Sequence, residues 1–423
     1  MKSRDASFPD PTADLRRRFV DQVAATVRER YVLEDKANEM ADHLLAQERA
    51  GAFDAVESIP KLASAVTSTL HSVHEDLHLF IDAWMPADGG DDESASNLHE
   101  DMLVHKHRVN FDFRKIEILI GNIGYLDLRS FCPVSLCGPT AAAAMQFLAH
   151  ADALIFDLRD NGGGADLVQF LQSYLFAEPT HMITQRHRSG RVRQTWTHPY
   201  VPGTKLVDVP VYILISRSTF SAGEDFAFTL QKQGRAVVVG EQTRGGAHPV
   251  EFHRFPDLCL EIMIPEESSE DPVTGINWEE TGVIPDLAVD TDGALEIAHA
   301  EALRTLLERP ESDESLVRFR KWALESVDAR RNRSKLPLED LERHVGAYGR
   351  SIEVFLDGEN LKICWGGRRD HVLHPLGEDE FEFDHGLQRA LFVFEDGAPV
   401  ELIGRDQDGG EWRLPRRDCP TEA

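Results

Sequence analysis

DLRDNGGG (157–164) and SRSTFSAGEDFAF (216–228) are the stretches on which the fold turns. In the first, the apolar run ALIFDLR (153–159) reads as a buried strand ending in a polar turn and a run of glycines. Glycines let a backbone approach a ligand closely and turn its N–H groups outward, as an oxyanion hole requires. A plain strand-to-helix turn has the same composition, and the lysine and serine or threonine of a phosphate-binding P-loop are missing. In the second stretch a strand ends near Ser216, and Ser221 falls where the next helix begins. A serine there sits in the positive field of the helix N-terminus, beside a free backbone N–H at Ala222. Spacing alone favours the plainer reading, in which Ser221 is an N-cap and Glu224 completes a capping box. The G-x-S-x-G elbow of the common hydrolases is absent.

Outward from these stretches, IGYLDL (123–128), VPVYILIS (209–216), RAVVVGE (235–241) and LCLEIMIP (258–265) read as further strands. Helices are expected at 140–150, from about 166, from 221 to 233 and over 292–308. Continuous Val/Ile/Leu runs between helices predict an α/β core with strands buried on both faces. Residues 12–80 read as helical, with Leu15, Phe19, Val23 and Val27 at helical spacing. ADGGDDESASN (87–97) marks a connection. After Pro310 a charged helical stretch runs to about 332. Beyond it SIEVFLD, NLKICWG, EFEFD and ALFVFED suggest a small antiparallel sheet or barrel. The expected layout is a helical domain over 1–95, the α/β core over 96–310, a helical linker over 311–336 and a β-rich domain over 337–423.

The 423 residues carry 45 Lys and Arg against 73 Asp and Glu, a formal net charge of −28. Such a surface repels nucleic-acid phosphates and anionic lipids, so neither nucleic acid nor membrane is an expected partner. No run reaches the 18 or so apolar residues of a membrane span. The opening MKSRDASFPDPTADLRRRFV lacks the apolar core of a signal peptide, so a cytoplasmic address is expected. Cys132, Cys137, Cys259, Cys364 and Cys419 form no C-x-x-C pair, which argues against a disulfide framework or a cysteine-rich zinc site. His74 and His78 stand at i and i+4, but without the H-E-x-x-H order or a third ligand; no metal and no organic cofactor are expected.

The ordered series IGYLDL, DLRDNGGG, STFSAGE, VVVGEQTRGG and WEETGVIPD resembles the tail-specific (C-terminal processing), tricorn and retinoid-binding-protein-like serine peptidase family over residues of about 12–308. YVLEDKANEMADHLL and SVHEDLHLFI are similar to the helical segment of the interphotoreceptor-retinoid-binding-protein branch. The resemblance implies a crotonase/ClpP-like ββα core, peptide or unfolded-protein substrates and Ser221 as nucleophile, and it leaves a homo-oligomer open as a further partner. In the tail-specific branch the base is a lysine in a motif matching GEQTRGG (240–246), where this chain has Gly246. The tricorn-like branch implies Ser–His–Glu, with Glu279 of NWEETGVIPD as its glutamate. His78 matches the D-x-H base of some chlamydial relatives, and His248 in GGAHP is its rival. The expected mechanism has His78 as general base oriented by Glu279, and Gly162 or Gly163 with Ala222 holding the oxyanion. Glu224 and Asp225 read as helix-N-terminal acids complementing the dipole, and Glu280 as surface. A non-catalytic apolar-ligand binder and a crotonase-type acyl-CoA enzyme are the rival functions.

Overall fold

The computed structural model describes residues 8–85, 104–331, 336–384 and 386–417. The connection expected at 87–97, the domain boundary at 95/96, the end of the helical linker and Cys419 lie outside the described residues. The chain opens with helices Ala13–Arg30, Glu34–Arg49 and Ile59–His71. The first starts where the Thr12 hydroxyl accepts the Leu15 N–H, and the third where Ser58 accepts the Lys61 N–H. Phe19, Val23 and Val27 of the first helix are fully buried, as an i, i+4 stripe requires.

That stripe does not pack on a purely helical core. It shares one apolar cluster with Ile81 and with Leu260, Ile262 and Ile264. Leu260–Pro265 is the middle strand of a three-stranded antiparallel sheet, between Phe80–Ala83 and Val250–Phe255. The segment 258–265, read from sequence as a fifth strand of the α/β core, therefore belongs with the N-terminal helices. The reason is visible in its burial, which alternates over LEIM instead of being continuous.

The α/β core is a six-stranded sheet in the spatial order Phe113–Leu119, Ile123–Leu128, Ala153–Asp157, Val211–Ile215, Val237–Gly240, Leu287–Ala288. The first pair is antiparallel and the remaining pairs are parallel. Every residue of Ala153–Asp157 and Val211–Ile215 is buried, because both faces of the sheet are covered. Helices Val134–Phe147, Leu167–Gln172 and Ala222–Lys232 contribute to the cluster on one face. Ala294–Glu308 and Glu314–Arg331 contribute to the cluster on the other. Three adjacent parallel strands thus deliver the loops after Asp157, Ile215 and Gly240 to one edge, the position where open α/β sheets bind ligands. A further three-stranded sheet, Glu267–Glu270, His181–His187 and Val192–Trp196, stands beside this edge.

Residues 346–415 form an eight-stranded antiparallel sheet in which each strand pairs with the next in sequence. Its ends meet: Gly349 N–H donates to the Pro415 carbonyl and Arg417 N–H to that of Ala347. The sheet rests on the helix Glu314–Arg331. Arg389 pairs with Glu325 at 2.6 Å and stacks over Trp322, and Arg330 pairs with Glu382 at 2.9 Å. No helix among the described residues is long and apolar enough to cross a membrane.

Candidate active site

Ser221 is the residue before the helix Ala222–Lys232, in the N-cap position, with φ 52° and ψ −119°. An L-residue at positive φ is strained by roughly 1–3 kcal/mol and persists only where its surroundings over-determine it. They do so here. The turn is tied down by the Phe220 N–H on the Asn161 carbonyl and by the Thr219 hydroxyl on that of Leu158. Fully buried Glu224 reaches back to accept the Ser221 N–H at 2.8 Å, and it also accepts the Thr243 hydroxyl and the Gly245 N–H. Glu224 is more than a dipole-complementing acid, since it clamps the serine turn to the loop after the neighbouring strand. Burial raises its carboxyl above the usual range, against the hydrogen bonds that lower it.

Gly163 has φ +105°, and a Cβ on it would stand 2.8 Å from Ser221 Cβ. The glycine run is thus required for the loop to lie against the serine. Gly163 N–H donates to the Asn161 side chain at 2.9 Å, which turns it away from an oxyanion role. Asn161 is itself buried and held by the Leu128 carbonyl. Among the described residues the Gly162 N–H has no protein acceptor. Ala222 N–H, in the first turn of its helix, has no intrahelical acceptor either.

Two imidazoles, of His78 and His248, line the same cavity as Ser221 and Ala222. His78 stacks on Phe220, with ring centroids 4.6 Å apart. A Cβ at Gly246 would be 2.7 Å from His78 Cε1 and 2.5 Å from the Phe220 ring. The position that carries the lysine in Ser–Lys relatives is therefore closed to any side chain, because the His78 and Phe220 rings fill the space. His78 is buried, and burial pushes its imidazole down to about 4, while Asp76 works the other way. Its Nδ1 is buried without a hydrogen-bond partner.

His248 is held differently. Its Nδ1 donates to Asp76 Oδ2 at 2.9 Å and lies 3.5 Å from Glu279 Oε2. Fully buried Asp76 also accepts the Tyr31 hydroxyl at 2.8 Å and the His78 N–H at 2.9 Å. Burial disfavours the Asp76 charge, yet the His248, His78 and Tyr31 bonds hold its carboxyl below the usual range. Burial likewise lowers His248, but Asp76 and Glu279 outweigh it and raise the imidazole above its ordinary value. Glu279 accepts the Ala247 N–H, and burial raises its carboxyl.

The structure thus brings Ser221, Ala222, His78 and His248 to one cavity and puts Glu279 behind it, on His248 and Ala247. No hydrogen bond joins Glu279 to His78. Sequence reasoning passed over Asp76 and Tyr31. Asp76 had a signal, since it is the first residue of the same D-x-H triplet as His78, whereas Tyr31 had none. Glu280 is largely exposed, and its carboxylate lies 3.4 Å from His74 Nδ1. Asp76, His248 and Glu279 are also the grouping whose ligand atoms, all within 4.8 Å of one another, could hold a cation. Each of those atoms already has a protein partner.

Comparison with known proteins gives two family matches, one per region. Residues 122–289 match peptidase family S41, and residues 14–118 match the N-terminal domain of peptidase S41 in eukaryotic IRBP. A carboxyl-terminal-processing protease from Picosynechococcus sp. is 31% identical over 135 residues, which are 32% of this chain and 32% of that protein. A tail-specific protease from Haemophilus influenzae is 27% identical over 161 residues, 38% of this chain and 22% of that protein. The chain therefore spans a third or less of the length of these curated relatives. The solved structure of a candidate peptidase from Parabacteroides merdae superposes with a TM-score of 0.50 at 18% identity. That superposition covers 69% of this chain and 97% of the other, a likeness of fold.

Proposed function

The chain belongs to peptidase family S41, with an IRBP-type N-terminal region, and from this premise we propose that it hydrolyses peptide bonds through an acyl-enzyme on Ser221. The observation that carries the reading is the strained Ser221 backbone, at φ 52°, beside the Ala222 N–H at a cavity that also holds an imidazole. Strain of this kind is maintained only against a cost, and a mere helix cap needs none of it. We read the parallel sheet and its flanking helices as a crotonase-like ββα core.

In this mechanism buried, neutral His78 takes the Ser221 proton as Oγ attacks the peptide carbonyl. It then returns that proton to the leaving amine, and water resolves the acyl-enzyme by the same route. The oxyanion is held by the Ala222 N–H and the Gly162 N–H. Glu279 completes a Ser–His–Glu arrangement indirectly, by gripping the 246–248 loop against which His78 rests. A second reading exchanges the histidines: His248 already has a carboxylate on Nδ1, the arrangement that fixes a productive tautomer. Substrates on either reading are peptides or unfolded proteins, and the acidic chain is proposed to work in the cytoplasm.

A fluorophosphonate probe tests the nucleophile. It should label the wild-type protein at Ser221, and Ser221→Ala should lose both labelling and hydrolysis of unstructured peptides. Hydrolysis within a few-fold of wild type in that variant would remove Ser221 from the mechanism. Absent labelling with retained apolar-ligand or acyl-CoA binding would favour a binder or a crotonase-type enzyme.

A further inference from the structure

We propose that Asp225 makes the cavity beside Ser221 a subsite for a basic side chain, lysine or arginine, on the acyl side of the scissile bond. The inference rests on the peptidase reading and extends it to substrate class. Asp225 follows Ser221 by four residues, so it lies on the same helix face about 6 Å further along the axis. That is roughly the reach of a lysine or arginine side chain from its own Cα.

The cavity has the chemistry such a side chain needs. Val168, Met182 and Ile183 line it and offer apolar wall for a methylene stem. Asp225 and Gln185 also line it, and Asp225 Oδ1 and Gln185 Oε1 are both buried acceptors without a hydrogen-bond partner. Buried acceptors left unpaired are costly, and a donor-rich cation is the kind of group that satisfies them. The Thr229 hydroxyl donates to the Asp225 backbone carbonyl at 2.6 Å, and burial raises the Asp225 carboxyl to about 7. Of the other titratable groups at the cavity, Arg193 is engaged by Glu267 at 3.2 Å, His248 is paired with Asp76 at 2.9 Å, His78 is held low by burial, and Asp166 accepts the Val134 N–H. Neither Arg193 nor His248 pairs with Asp225 among the described residues.

The test uses the full chain and a peptide series identical except at P1, with Lys, Arg, Gln, Leu and Phe. Wild type should favour Lys and Arg over Leu in kcat/KM by about tenfold or more. Asp225→Asn should collapse that ratio at least tenfold, and Asp225→Glu should recover part of it. Fluorophosphonate labelling of each variant shows whether Ser221 is still assembled. A wild-type preference for apolar P1, or a basic-to-apolar ratio unmoved in a labelled Asp225→Asn protein, overturns the proposal. If wild type is neither labelled nor active, the peptidase reading fails, and benzamidine binding by calorimetry then decides for the pocket. Saturable binding that Asp225→Asn abolishes supports the cation site, and no binding to wild type overturns it.

Discussion

The loop carrying Asp76 and His78 and the loop carrying Gly246 and His248 each bring an imidazole to one cavity, yet they treat it in opposite ways. His248 is paired through Nδ1 to a buried carboxylate and pushed up in pKa. His78 is packed against Phe220, left without a partner at Nδ1 and pushed down to about 4. Burial alone lowers an imidazole, and a carboxylate raises it. Two carboxylates separate the two outcomes, since Asp76 bonds the His248 ring but only the backbone of His78, and Glu279 lies beside His248 alone. A ring pushed down in pKa favours the neutral form that can accept a proton, whereas a ring paired to a buried carboxylate is fixed in place by its partner.

The largest effect expected from this contrast is at the rings themselves. His78→Ala should lower kcat by about 10³–10⁴-fold, the contribution of a positioned general base in a serine triad. His248→Ala should cost far less activity but destabilise the fold, because Asp76 is left buried without its main partner. Steady-state kinetics with thermal melts on both variants checks this, and the reverse pattern would give the base role to His248.

A smaller effect is expected at Glu279. Its hold on Ala247 and His248 positions the loop behind His78, so Glu279→Gln should reduce kcat by about tenfold with little change in KM. Were Glu279 bonded directly to the base, the loss would be nearer 10⁴-fold. Glu280→Gln, altering an exposed carboxylate, should be nearly silent in the same assay.

The mildest prediction concerns pH. A His78 base with a depressed pKa stays almost entirely neutral at pH 5.5, so kcat/KM should hold there and fall only as pH approaches about 4. A His248 base, with a raised pKa, is mostly protonated at pH 5.5 and inactive, with its acidic limb above the ordinary histidine value. Measuring kcat/KM from pH 4.5 to 8.5 separates the two.

Much of this is legible in the amino-acid sequence. The glycine run and the serine turn were placed at strand ends by the Val/Ile/Leu runs before them, and the C-terminal strands by their Gly and Asp punctuation. What escaped shares a cause: it depends on contacts between segments far apart in the chain. The sequence reading places Leu260–Pro265 in the wrong sheet, although Glu261 between Leu260 and Ile262 already interrupts the continuous apolar run of a strand buried on both faces. Asp76 was passed over in favour of the histidine two residues on. Asp225 was read as a helix-dipole acid, although its i+4 spacing from Ser221 already put it on the face of the nucleophile.

The pairing of Asp76 with His248 spans 172 residues of chain. The C-terminal sheet, by contrast, is built wholly from strands that neighbour one another in sequence. Short loops close at low entropic cost and long ones at higher cost, so the hairpins can form early and the cavity late. On the peptidase reading proposed above, a newly made chain would pass through its partly unfolded stages before its Ser221 cavity is assembled.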